Sequence, residues 1–537
     1  MDEMKKKGPP MPPKPQPLNA DQAGPMPVID EKDILDEVTA DIVIIGLGHG
    51  GMQCALAAAE GGASVAVIEK KPEQGFRWTG EQIGTLNSQF FIDKGYGPYD
   101  LDEVIQEFMR DGGYYVNQDM INAYVKNSGE MLDHMISLVP EGNTVMDDDQ
   151  YTIQLAYGDA PYPRVYGGVK SWPGTLIFRG TLVTEPYVEG MIGSKYFVNE
   201  LSRLTDFELV ARDRALELGA KIFYEQSGVV LTKDGERVSG VIAKDRDGGY
   251  HKYTANRAVV LCTGDGVNGG MNLGLWAGGC IEEVPVKAAG PQELAKSFGQ
   301  AAFLHLNADG KRFVNESIPY AIGYACYRQP CGTVCSVFDS KWTEQIKYVG
   351  THHGAPDWGV PLYIEQAKED MAYAPNSKKQ PVGIRSLSSS EREQWPVYAA
   401  NSLEELADLL GYEGEARKNW FDSIARYNEL CYKGYDDDYG KDPCTLIPID
   451  EPPFYAGKAT NSRGPGFGGL NLGFMVTSDM QIRTESGAPI PGLYAAGNCI
   501  GGRHALYYPT PVAGNHIGTA MTLGRVLGKK LTGQPVK

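Results

Sequence analysis

The stretch "ADIVIIGLGHGGMQCALAAAEGGASVAVIEKK", residues 40 to 71, limits what this chain can fold into more than any other. Asp41 to Ile45 is β-branched and apolar, as in a strand buried on both faces, and it runs straight into Gly46-Leu47-Gly48-His49-Gly50-Gly51. Small residues at helical spacing follow as far as Gly62, and a second apolar strand from Ser64 to Ile68 ends in Glu69. This is a complete strand-helix-strand unit. In such a unit Gly46 permits the tight turn, Gly48 lets backbone approach a pyrophosphate, and Gly51 lets helix and strand pack closely. The helix N-terminus adds free amides and positive partial charge. A glycine triplet alone is a weak sign. Here the strand before it, the helix after it and an acidic residue 23 positions beyond Gly46 all agree on dinucleotide binding. Glu69 is the expected partner of a ribose hydroxyl pair, with Lys70 beside it as a further cofactor contact; the alternative is a solvated strand-end carboxylate. His49 reads as a surface residue of the loop.

With 537 residues there is room for two to four structural units at roughly 100 to 200 residues each. The 66 glycines and 30 tyrosines are above ordinary usage, and the glycine excess suits backbone lying close to a ligand. A formal charge of −18 repels phosphate backbones and anionic lipid, so nucleic acid and membrane surfaces are excluded as partners. Residues 1–38, with eight prolines between Pro9 and Pro27, read as a flexible arm. They hold no signal-peptide core, and no later run reaches the ~18 apolar residues of a membrane helix. Nine thinly spread cysteines point to a reducing, cytoplasmic setting, a signal removed before residue 1 being left open. Cys326, Cys331 and Cys335 could hold part of a zinc or iron-sulfur site with a distant fourth ligand, but "CYRQPCGTVCSVFD" also reads as a buried strand. No metal is expected.

Three later segments complete a nucleotide site. "VVLTKDGERVSGVIAKD" (229–245) is a hairpin turning at Asp234-Gly235, and "RAVVLCTGDG" (257–266) is a buried strand ending at Thr263-Gly264. "PIPGLYAAGN" (489–498) is another apolar strand, reaching Gly497-Asn498. At these residues the chain resembles the flavoprotein superfamily of soluble fumarate reductases and 3-ketosteroid dehydrogenases, over roughly residues 40 to 70, 205 to 340 and 450 to 530. The resemblance implies an α/β fold: a discontinuous Rossmann-like FAD-binding domain (40–285 and 455–537) with an inserted α+β substrate, or capping, domain (286–454). FAD contacts then fall on Gly46, Gly48, Gly51, Glu69, Lys70, Thr263, Gly264, Gly497, Asn498, Gly514 and Asn515. Covalent members tether the flavin through a histidine near the first motif, and "FRWTGEQIGTLNSQFF" has none, so noncovalent FAD is expected.

The same resemblance explains "RHALYYPTPVAGNH" (503–516) as a loop over the flavin that leads into a helix starting near Gly514-Asn515, with Lys529 and Lys530 in its last turn. Amides at that N-terminus suit the negative charge of reduced flavin. Arg503, His504, Tyr507, Tyr508 and His516 become candidates to hold or protonate a substrate. Fumarate reductases carry an arginine in NRLGGNA that clamps a carboxylate, and on that alignment this chain has Pro511. Ketosteroid dehydrogenases show a pattern like TYPGPG; "YYPTPVAG" is two residues longer, so Tyr508 and Thr510 compete for the ketone-binding role. In "GKRFVNESIPYAIGY" (310–324) the family pattern NE..PY puts a catalytic tyrosine at Tyr320, and it makes Arg312 and Glu316 either a structural ion pair or direct participants.

The expected function is therefore FAD-dependent oxidation or reduction of a carbon-carbon bond next to a carbonyl in an uncharged steroid-like or polyphenol-like ring compound. Flavin N5 would carry the hydride and a tyrosine the proton. The electron donor or acceptor is unknown. Two alternatives remain: an acrylate-type reductase in which Arg503 or Arg328 replaces the lost arginine, and a flavin-carrying electron-transfer or structural subunit.

Overall fold

Ile42, Val43, Ile44 and Ile45 are buried, and the strand they end has a parallel neighbour on each side. The computed structural model describes residues 25–537 apart from 75, 79, 81, 142–143, 147–150, 179–203, 265–270, 283–301, 318–324, 327, 350–366, 373–381, 384–395, 460–471 and 505–510. The first strand is longer than its apolar run. It spans Ile34–Ile45, and residues 34–40 pair with Tyr250–Ala255 while largely facing solvent. The expected arm of residues 1–38 thus gives its last five residues to the sheet. "ILDEVTA" hid this because backbone pairing, not burial, holds that half in place.

The main sheet runs Gln481–Arg483, Pro489–Ala495, Tyr250–Leu261, Ile34–Ile45, Val65–Ile68, Lys221–Phe223, parallel except at the Gln481–Arg483 edge. The hairpin Gln226–Asp234 and Arg237–Asp245 joins antiparallel to the first half of Tyr250–Leu261, turning at Asp234 as its Asp-Gly pair requires. Beyond the strands the ladder continues: Cys262 N–H donates to Ile45 O at 2.8 Å, Gly46 N–H to Ile68 O at 2.8 Å, and Ala496 N–H to Leu261 O at 3.0 Å. Four chain segments distant in sequence therefore deliver their turns to one edge.

Above that edge the nucleotide helix, His49–Glu60, lies against the C-terminal helix, Asn515–Leu531. Their backbones nearly touch. A Cβ on Gly524 would stand 2.2 Å from Gly50 O, and one on Gly528 would stand 2.6 Å from Cys54 O. A second sheet has its own core and the order Leu304–Asn307, Val334–Asp339, Phe454–Ala459, Pro396–Ala400, Val382–Gly383. Helices Leu403–Leu410 and Gly414–Lys433 cover it, burying Leu406, Trp420 and Tyr427. A small sheet of Gln82–Gly84, Thr175–Phe178 and Tyr151–Gln154 abuts the start of the C-terminal helix through Gly84 N–H, which donates to Gly514 O at 2.9 Å. No described helix is long and apolar enough to cross a membrane.

Gly524→Ala tests the helix contact. The added methyl meets backbone that has nowhere to go, so a loss of ~1–3 kcal/mol and a lower melting temperature are expected. An unchanged melting curve would mean that the helices do not approach so closely.

Candidate functional site

The edge where the parallel strands end opens into a cleft of 440 Å³, within the roughly 300–1,000 Å³ of small-molecule sites. Gly46, Gly48, Glu69, Lys70, Thr263, Gly264, Gly497 and Asn498, all expected from sequence, line it. Gly51, Gly514 and Asn515 do not. Gly51 packs beneath the turn, while Gly514 and Asn515 form the N-terminus of the C-terminal helix, held by Gly84 and by Thr175, whose hydroxyl donates to Ala513 O at 2.5 Å. Glu69 braces the turn. Its carboxylate accepts Leu47 N–H at 2.8 Å and Lys71 N–H at 2.9 Å, which fixes the glycine turn, and each oxygen keeps a further lone pair for a hydroxyl.

The glycines divide by physical cause. Gly46 has φ +103° and a Cβ there would stand 2.3 Å from Cys262 O; at Gly51 it would stand 2.0 Å from Gly46 O. The fold itself needs both. Gly48 has φ −66° and ψ −178°, ordinary extended backbone, and a Cβ on it would meet nothing within 4 Å. Nothing among the described residues requires glycine at that position, so the requirement falls on what the cleft binds. The nucleotide helix agrees: it has no side-chain cap and no acidic residue in its first turn, which leaves its amides for an anion. Two residues lining the cleft, Trp78 and Asn498, each keep a buried polar atom, Trp78 Nε1 and Asn498 Oδ1, that has no hydrogen-bond partner among the described residues. These residues fit FAD.

Sequence reading missed part of the lining. Trp78, Phe76 and Arg77 come from a stretch scanned only for histidine, and Gln226 to Gly228 from the start of the hairpin. His49, expected on the surface, is mostly buried: its Nδ1 lies 2.7 Å from Glu208 Oε1. Cys499 was also overlooked. Its Sγ accepts Thr263 N–H at 3.0 Å and donates to Gly264 O at 3.1 Å, clamping one strand end to the next.

In the loop, Tyr507, Tyr508 and Thr510 lie outside the described residues, as does Tyr320. Arg503 is buried and its Nε donates to Ile500 O at 2.9 Å. His504 is buried too, with Nε2 3.2 Å from Nδ1 of His516 and the two rings stacked. Asn498 Nδ2 donates to His516 Nε2 at 2.8 Å, so a hydrogen-bonded line runs from the cleft to the loop. Burial first, then the neighbouring Arg503 and His516, hold His504 well below the ordinary imidazole range. It is neutral at physiological pH. Pro511 is buried and its carbonyl accepts Trp172 N–H at 2.8 Å.

Arg312 and Glu316 form a two-pronged ion pair at 2.9 and 2.8 Å, and Arg312 binds Asp436 at 2.7 Å. Lys441, fully buried, stands 3.7 Å from Glu316 and donates to Tyr427 Oη at 2.8 Å. Burial pushes the Glu316 carboxyl up, but Lys441 and Arg312 outweigh it and hold the group below the ordinary carboxylate range. Burial lowers Lys441 to about 8 against the pull of Glu316. The cysteine-rich stretch is a strand only over Val334–Asp339; Cys331 is exposed in a turn at φ +56°. Among the described residues no group of histidine, cysteine and carboxylate could hold a metal.

Parallel strands, a glycine turn braced by a carboxylate and an uncapped helix aimed at the cleft define a dinucleotide-binding α/β protein. Comparison with known proteins narrows the class. Residues 41–273 and 281–514 match the FAD binding domain family, and the chain belongs to this family of FAD-dependent oxidoreductases. Vinyl phenol reductase of Lactiplantibacillus plantarum is 24% identical over 529 residues, covering 91% of this chain and 95% of that protein. The 3-oxosteroid 1-dehydrogenase of Mycobacterium tuberculosis is 24% identical, covering 93% and 99%. The open conformation of a flavocytochrome c3 fumarate reductase superposes with a TM-score of 0.56 at 19% identity, covering 92% and 78%, and so shares the fold.

Gly48→Val should fold as well as the parent apoprotein yet fail to take up FAD, whereas Gly51→Val should lose the fold itself. Thermal melting of the apoproteins with FAD titration separates them; equal destabilisation of the two would contradict the assignment.

Proposed function

We propose that the chain oxidises or reduces a carbon-carbon bond conjugated to an oxygen function in an uncharged ring compound, steroid-like or phenolic, with noncovalent FAD. The observation that carries this reading is Pro511, which the family resemblance lines up with the clamping arginine of dicarboxylate reductases and whose carbonyl accepts Trp172 N–H. Arg503 is buried with its Nε donating to Ile500 O, and in this reading it is not assigned the clamping role. Relatives named for a vinyl phenol and an oxosteroid support a flat ring substrate. Nine free thiols support a reducing, cytoplasmic setting.

Bound FAD supplies hydride exchange at N5. In this reading Tyr320 transfers the proton at the neighbouring carbon and Tyr508 holds the substrate oxygen, whose hydrogen bond strengthens as negative charge develops. The amides at Gly514 and Asn515 offset charge on the ring, and Arg312 with Glu316 braces the segment that leads to Tyr320. The cleft edge belongs to an FAD domain of residues 40–285 and 455–537, the capping domain to 286–454, with the strand Phe454–Ala459 crossing that boundary into the capping sheet.

Reduced protein, mixed without oxygen with ring enones, vinyl phenols, acrylates and fumarate, should be reoxidised fastest by a ring compound. Loss of a desolvated, charge-assisted contact costs on the order of 2–5 kcal/mol, so fumarate should be poor. Fumarate matching the best ring compound would overturn the reading. Tyr320→Phe should keep fold and yellow colour while turnover falls by ~10² to 10⁴. Near-normal turnover would move the donor elsewhere, with neutral His504 next in line.

A further inference from the structure

The nucleotide turn places a histidine where most of its chemistry could be done by backbone alone. His49 is the first residue of the nucleotide helix, at the positive end of its dipole, and it lines the cleft. Its ring is anchored from 159 residues away: Nδ1 lies 2.7 Å from Oε1 of Glu208, on the helix Thr205–Glu217. Gln53, one turn further along the nucleotide helix, donates Nε2 to the other oxygen at 3.0 Å.

Glu208 has no exposed side-chain surface. A carboxylate withdrawn from water is costly unless a positive charge compensates it, and Gln53 is neutral. Among the described residues the ion-pair partner of Glu208 is His49, with no lysine or arginine taking that place. The charge-balanced form is therefore a carboxylate against an imidazolium. The remaining charged residues of the cleft, Glu69, Lys70, Lys71 and Arg77, come from the end of the second strand and the segment after it, not from the helix terminus.

We propose that His49, kept as an imidazolium by Glu208, is a fixed cation for the diphosphate of the bound dinucleotide, and that Glu208 is its positioning residue. The inference rests on the FAD reading of the cleft. Two further features favour it. The space beside Gly48 is open, and the first turn carries no acid to compete with an anion. A surface lysine would be a flexible, hydrated charge. An imidazolium pinned on a buried carboxylate is preorganised and costs little ordering on binding.

The experiment compares apoprotein and its His49→Gln and Glu208→Gln variants in binding FAD, ADP, adenosine and riboflavin, at low and raised salt, with melting curves as the control for folding. Glutamine at 49 keeps a hydrogen-bonding amide and removes the charge. Expected is a loss on the order of 10- to 100-fold for FAD and ADP in His49→Gln, with adenosine and riboflavin unchanged. The salt dependence of ADP binding should flatten. Glu208→Gln should show the same selectivity to a smaller degree. His49→Lys, which restores a cation, should recover much of the ADP affinity and serves as the second test if glutamine unfolds the protein. Unchanged ADP binding in His49→Gln, or a parallel loss for adenosine, overturns the proposal and leaves the pair as a helix tie. Parent protein that binds ADP and FAD while the variants show no such selectivity refutes only the histidine; parent protein that binds neither refutes the FAD reading as well.

Discussion

The rest of the structure depends on how closely backbone approaches backbone around the nucleotide helix. Gly51 presses onto Gly46 O, Gly50 onto Gly497, and Gly524 of the C-terminal helix onto Gly50 O, all at distances that leave no room for a Cβ. Dense packing of this kind transmits any added volume to its neighbours. Because those neighbours are the strand ends that carry Thr263 and Gly497, the same contacts set the width of the cleft. A sheet of four distant segments then behaves as one rigid edge, and the ligand meets turns that are already in place.

Charge is handled by burial with compensation in two separate places. Around Arg312 two cations and two carboxylates, Glu316, Asp436 and Lys441 included, cancel in a buried cluster that ties the segment Arg312–Glu316 to residues 436–441. Tyr166 joins them by donating to Glu316 O at 2.9 Å, which links that pocket to the hairpin Arg164–Tyr166 and Val169–Ser171. Beside the nucleotide turn, Nδ1 of His49 meets the buried carboxylate of Glu208 at 2.7 Å. Removing one partner of such a set strands a charge in a low dielectric and costs more than the set contributes as a whole.

How much could be read in advance follows from which forces leave a linear trace. The strand before Gly46 and the Asp234-Gly235 turn were legible, because two-sided burial and turn chemistry mark consecutive residues, and the family resemblance placed the helix from Asn515. Ile34 to Ala40 was not, since a strand facing solvent has no apolar pattern. Nor was the break at Cys331: three cysteines suggested one buried strand, but Pro330 and Gly332 set a turn before Val334. Lys441 looks like a surface residue in any window and is buried only because Glu316 and Tyr427 meet it in space. The pairing of His49 with Glu208 is of the same kind. Of the candidate site, the cleft-lining glycines Gly46 and Gly48 were legible from spacing, and Trp78 and Cys499 were not, because their contacts depend on surroundings that only the fold supplies.

Strand ends from distant parts of one chain assemble a cradle for FAD, proposed above to be held noncovalently, and flavin stoichiometry after acid precipitation tests this most directly. Protein purified with saturating FAD and freed of excess should release one FAD per chain into the supernatant, leaving a colourless pellet. A protein that retains no flavin after removal of excess, or a pellet that keeps it, would contradict the account.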